Sequence, residues 1–319
     1  SRKSLPQRIP SWLNSLGVFK AAWATLALQA SQNFAPTPDT PASRLLDSER
    51  APRMISSKLK PAANKKVEVP TALPFPRSHD YRFLIQRWRA LAKSSDLRMR
   101  RFSENGGYPL YYLETQSPRK HATRIYLSAG IHGDEPASTE ALLAWAENNR
   151  EILQSLQFLI FPCLNPWGLV HNKRCDADDR DLNRGYRQNH PPVVKDQLSL
   201  LDHAHFDLAI NLHEDYDAQG VYLYEPWREK SHWGEKIIEA MSAAIPIDPR
   251  RNIDGHKAKG GVIRTRITED MMPDWPEAIA LHLRYSHRTF TLESASEFAI
   301  ESRVAAHVAG IEAAIGLID

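Results

Sequence analysis

The segment RIYLSAGIHGDEP, residues 124–136, sets the architecture of the chain. Arg124 to Ala129 reads as a strand, the glycine-containing stretch Gly130 to Glu135 as a loop, and Pro136 as the first residue of a helix running to about Asn149. Proline suits a first helical position because its missing N–H would have no partner there in any case. Working outward, Leu97 to Ser103 and Leu110 to Thr115 flank Asn105-Gly106-Gly107, a turn signal that joins two strands into a hairpin. The runs Phe158 to Leu164, Leu208 to Leu212, Val221 to Tyr224 and Thr289 to Leu292 read as further strands. Apolar-periodic segments near Val193 to His203, Glu235 to Ala244, Pro276 to Leu283 and Arg303 to Ile315 read as helices. Such alternation predicts an α/β fold with a mixed, largely parallel central sheet of about eight strands and helices on both faces. Catalytic residues are then expected in loops beyond the carboxyl ends of the strands.

The catalytic domain is expected over residues 77–319, opening with Tyr81, Leu84, Ile85, Trp88 and Leu91 at helical spacing. Residues 1–76 read as an N-terminal extension or linker, because Phe34 to Pro76 is rich in Pro, Ala, Ser and Lys and has few bulky apolar residues to bury. Within that extension, Ile9 to Ala30 behind Arg2, Lys3 and Arg8 reads either as an export or organelle signal or as an amphipathic helix. A net charge of +3, dispersed along the chain, argues against a nucleic-acid partner. No uncharged apolar stretch reaches 18 residues, so stable membrane insertion is not expected. With two cysteines, Cys163 and Cys175, there is neither a disulfide framework nor a cysteine-rich zinc module. Cys175 in a polar loop suits a reducing compartment and points to the cytoplasm, with export as the alternative if residues 1–30 are a signal.

Any metal must therefore be held by histidine and carboxylate. His132 and Glu135 stand three residues apart between a strand and a helix, a spacing that can aim both at one ion. Two histidines and one glutamate leave a fourth position on zinc open for water, and His213, emerging at the end of Leu208 to Leu212, is the best third ligand. Hydrolysis also requires a base, a cation for the developing oxyanion and a grip on the substrate. Glu293 follows the strand Thr289 to Leu292, where burial can raise a carboxyl pKa. Arg174 and Arg184 lie in the polar loop Asn165 to Tyr186.

Six motifs in order, His132-Gly133-Asp134-Glu135, Asn165-Pro166-Trp167-Gly168, Arg174, Asp181-Leu182-Asn183-Arg184, His213 and Thr291-Leu292-Glu293, resemble the zinc carboxypeptidase family. The likeness runs from about Tyr108 to Ile315, and it is closest to the bacterial branch with murein peptide amidases and the succinylglutamate desuccinylase and aspartoacylase group. The resemblance implies one Zn2+ ion on His132, Glu135 and His213, with Glu293 as general base and Arg174 as oxyanion cation. It further implies that Asn183 and Arg184 grip a substrate carboxylate and that Asp181 orients His132.

The implied activity is a metallocarboxypeptidase or peptide amidase, and the alternative is an N-acyl amino acid amidohydrolase. The partner is accordingly a small peptide or an N-acyl amino acid, and the oligomeric state is left open. A chain that closes soon after Arg303 to Ile315 leans toward the peptidase. The family's substrate-closing tyrosine has no counterpart between Met271 and Leu283, so a different lid is expected. Arg264 and Arg266 alternate on one face of a possible strand, where they are expected either to recognise a second carboxylate or to be solvated. Tyr222 and Tyr224 read as cleft or core.

Overall fold

The computed structural model describes residues 77–116, 122–227 and 232–318. The extension expected over 1–76, including its possible signal, lies outside the described residues.

In chain order the elements are α1 (Tyr81–Ser94), β1 (Leu97–Asn105), β2 (Tyr108–Thr115), β3 (Arg124–Ala129), α2 (Pro136–Asn148), α3 (Arg150–Ser155), β4 (Gln157–Phe161) and α4 (Pro166–His171). A single 3-10 turn, Leu182–Arg184, leads to α5 (Pro192–Leu201), β5 (Leu208–Asp215), β6 (Tyr222–Tyr224), α6 (Gly234–Met241), β7 (Asn252–Ile253), β8 (His256–Lys259) and β9 (Val262–Ile263). Helix α7 (Glu277–Ala280) runs on as a π turn, Leu281–Tyr285, before β10 (Thr289–Ala295) and α8 (Ile300–Ile315).

Asp80 caps α1 by accepting the Phe83 N–H, and the periodic residues Tyr81, Leu84, Ile85, Trp88 and Leu91 are its buried face. Gly106 and Gly107 turn β1 into β2 with φ of +56° and +82°, a left-handed pair that only glycine adopts freely.

The sheet holds ten strands in the order β1-β2-β4-β3-β5-β10-β6-β9-β8-β7. It is mixed, as expected, but with two differences. Parallel pairing is confined to β4-β3-β5-β10 and to β6-β9, with antiparallel strands at both edges. The strands beyond about eight come from the short run β7 to β9. Runs of two to four residues are too short to carry a period that distinguishes strand from loop.

Alternation along the strands divides the core. Ile125, Leu127 and Ala129 join the cluster beneath α1, α2, α6 and α8, whereas Tyr126 joins Phe161, Phe206 and Trp275 in the cluster beneath α5 and α7. On β5 and β10, Leu212 and Leu292 face the first cluster, so His213 and Glu293 face the other way. Parallel register sets His213 directly beside Glu293, and Ala129 beside Leu212, so the loop after β3 leaves the sheet next to both.

Candidate metal centre

His132 and Glu135 lie in the loop between β3 and α2. Gly130 opens that loop with φ of +63°, and a Cβ on Gly133 would fall 1.9 Å from the Gly168 backbone carbon. The loop thus sits against α4 at a distance that only glycine permits. Glu135 occupies the N-cap position of α2 without capping it, because its side chain is turned toward the histidines. His132 Nδ1 lies 2.6 Å from Glu135 Oε1, and His213 Nδ1 lies 2.9 Å from Glu135 Oε2. All three side chains are buried, and their ligand atoms lie within 4.8 Å of one another. A buried His-Glu-His group of this kind can hold a metal ion, and two imidazoles with one carboxylate suit zinc. Burial alone would raise the Glu135 carboxyl, but the two imidazoles outweigh it and hold the group ionised. Burial likewise opposes protonation of His132, and Glu135 and Asp181 overcome it.

The other ring nitrogen of His132, Nε2, is 3.3 Å from Asp181 Oδ1, close enough for charge attraction without an aligned hydrogen bond. Asp181 also accepts the Asn183 N–H at 2.9 Å on Oδ1, and both Nε and Nη2 of Arg174 at 3.1 and 3.0 Å on Oδ2. One carboxylate therefore touches His132, the half-exposed Arg174 and the backbone of the Asn-Arg turn. It is held far below the usual carboxylate range because His132 and the cations Arg174 and Arg184 outweigh its burial.

Glu293 stands on the strand beside His213 and is 8% exposed. Burial pushes its carboxyl well above the usual range; His213 opposes this, and Glu135 and Asp215 add to it. Tyr222 pairs with Glu293 across β6, and its hydroxyl donates to Asp215 Oδ2 at 3.0 Å. Asn183 is buried and Arg184 exposed, with Arg184 Nη1 donating to the Asn183 carbonyl at 2.9 Å. His132, Glu135, His213 and Glu293 thus come together at one end of the central strands, with Asp181 and Arg174 beside His132.

Arg264 is not available for a second carboxylate: its guanidinium is divided between Glu225 and Glu235. Arg266 is exposed. Three roles were not legible from sequence. Glu214, one of the two acids after His213, accepts the Ala137 N–H at 2.6 Å and pairs with Arg303 of α8. Tyr216 is 56% exposed and donates its hydroxyl to the Asp134 carbonyl at 3.2 Å, so an aromatic side chain is tied to the loop that carries His132 and Glu135. Glu277, inside an apolar segment, is buried among polar side chains; Ser128 and Asn211, the polar interruptions in two apolar strands, were the available signal.

Among known proteins, the chain matches the succinylglutamate desuccinylase/aspartoacylase catalytic domain over residues 121–248. Carboxypeptidase 2 of Trichophyton tonsurans is 29% identical over 125 residues, which are 35% of this chain and 23% of that protein. The chain spans about a quarter of the length of the curated relatives it matches. Among solved structures, a candidate metallopeptidase from Shewanella amazonensis has a TM-score of 0.68 at 19% identity, covering 75% of this chain and 94% of that one. A metallo-carboxypeptidase from Burkholderia cenocepacia has a TM-score of 0.57 at 16% identity, covering 72% and 67%. At these identities the structural likeness shows the fold.

Proposed function

We propose that this chain belongs to the zinc carboxypeptidase-like group and is a zinc-dependent metallohydrolase that cuts the amide bond next to a substrate's free carboxylate. The observation that carries the proposal is the convergence of His132, Glu135 and His213 within 4.8 Å, with Glu293 on the strand beside His213. A zinc ion on these three groups would supply Lewis acidity and make a water molecule acidic near neutral pH.

The chain's own residues do the rest. Glu293 takes a proton from the attacking water and passes it to the leaving amine, and a carboxyl raised by burial is suited to that exchange. Arg174 donates to the oxyanion that develops on the scissile carbonyl, anchored meanwhile by Asp181. Asn183 and Arg184 hold the substrate carboxylate, for which a planar guanidinium is well shaped. Asp181 fixes the His132 ring through its far nitrogen.

A second reading is favoured by the match over residues 121–248: an N-acyl amino acid amidohydrolase, which would use the same groups on a smaller substrate. Purified protein loaded with zinc, offered a panel of short peptides and of N-acyl amino acids, separates the two. The peptidase reading predicts faster turnover of peptides with a free terminal carboxylate, and exclusive turnover of acyl amino acids would replace it with the second reading. In either case Glu293→Gln is expected to lose at least about 10²-fold in turnover while keeping its metal. Normal turnover in that variant would remove Glu293 as the base.

A further inference from the structure

Beneath the Asn-Arg turn lies a buried carboxylate to which no role has been given. Glu277, 1% exposed, begins α7. Its Oε1 accepts from the Tyr126 hydroxyl and from Gln197 Nε2 at 2.8 Å; its Oε2 accepts from Ser128 Oγ at 2.8 Å and Asn211 Nδ2 at 2.6 Å. None of these four donors carries a charge. A buried carboxylate is costly unless its lone pairs are filled, and here β3, β5 and α5 together fill them. The donors are themselves fixed: Tyr186 donates to Gln197 Oε1, and Asn211 Nδ2 also reaches Ser128 Oγ at 2.9 Å. The start of α7 is therefore held rigidly against the central strands.

The first N–H of that helix is aimed at the substrate grip. Glu277 N–H donates to Asn183 Oδ1 at 2.8 Å. Only an oxygen can accept it, so the Asn183 amide has one orientation, with Oδ1 turned inward and the Nδ2 amino group left to donate. An amide free to flip would present a carbonyl oxygen to a substrate carboxylate half of the time, and two acceptors repel.

We infer that Glu277 is a positioning residue for carboxylate recognition: through its network it fixes the start of α7, and through its N–H it fixes Asn183 as a donor. The inference rests on the proposed role of Asn183. Glu277→Gln keeps the shape but sets an NH2 group against the donors on one of the two oxygens, either Tyr126 and Gln197 or Ser128 and Asn211, and so loosens the start of the helix. Tyr126→Phe removes a single donor and is the milder perturbation.

The test compares kcat/KM for a short peptide with a free carboxyl terminus and for its carboxy-amidated twin, in the zinc-loaded wild type, Asn183→Ala, Glu277→Gln and Tyr126→Phe. The free-acid to amide ratio is expected to fall about tenfold in Glu277→Gln and less in Tyr126→Phe, with zinc content unchanged, since a hydrogen bond to a charged group is at stake. A collapsed ratio in Asn183→Ala beside wild-type ratios in both network variants would overturn the inference and leave the Asn183 reading standing. A wild-type ratio in Asn183→Ala would remove that reading and the inference with it. Equal loss on both substrates together with loss of zinc would mean general distortion and would also contradict the inference. If Glu277→Gln does not fold, Tyr126→Phe decides.

Discussion

At the scale of single residues the centre is organised by Asp181. Through two oxygens it meets His132, Arg174 and the Asn183 backbone, so the groups proposed as metal ligand, oxyanion cation and carboxylate grip share one anchor. Removing it is expected to do more than loosen a side chain. Asp181→Ala should weaken zinc binding by about 10- to 100-fold, the usual effect of losing the group behind a metal-bound histidine, and chelator competition measures it. Unchanged affinity would place the orientation of His132 elsewhere. Burial pushes the Cys163 thiol up to about 12, so in native protein at pH 8 alkylation should mark Cys175 and spare Cys163. Labelling of both would mean that the structure after β4 opens around Cys163. The residue types of this site were legible in the sequence because several motifs stand together in one order; any one histidine, arginine or carboxylate at a loop or strand end is common in other folds. Their partners were not legible. Nothing around Arg264 announces that Glu225 and Glu235 occupy it, because those acids lie far from it in sequence and meet it only after folding.

At the scale of elements, the end of the sheet that carries His213 and Glu293 is closed by a clamp. Glu214, at the end of β5, accepts the Ala137 N–H from the first turn of α2 and pairs with Arg303 from the first turn of α8. The Glu214 side chain is fully buried and that of Arg303 is 14% exposed, so the pair is shielded from water. Breaking one side of a buried pair leaves an uncompensated charge, and Arg303→Met is expected to destabilise the fold by about 3 kcal/mol in denaturant unfolding. A change near zero would mean that Glu214 is protonated or rehydrated in the variant. The hairpin β1-β2, helix α2 and the ends of β5 and β10 could be read from turn residues, a helix-opening proline and apolar runs. The edge strands β7 to β9 could not, because two-residue strands exist only through the backbone bonds that the rest of the sheet offers them.

For the whole molecule, the parallel centre of the sheet explains why residues distant in sequence arrive together: His132 follows β3, His213 lies two residues before the end of β5, Glu293 two residues before the end of β10, and all three strands point the same way. The order of the motifs conveyed this arrangement before any coordinate did, while the Glu277 network, built of residues common in any fold, left no comparable trace. Among the described residues no helix is long and apolar enough to cross a membrane. Because an ion that binds only the folded chain adds stability by mass action, stripping the metal should lower the melting temperature, and zinc should restore it. The measurement closest to the central claim is the zinc content per chain of the purified protein and of a folded His213→Ala variant. One zinc per chain is expected in the first and its loss in the second; a folded His213→Ala protein that keeps its full zinc would rule out the His132, Glu135 and His213 centre.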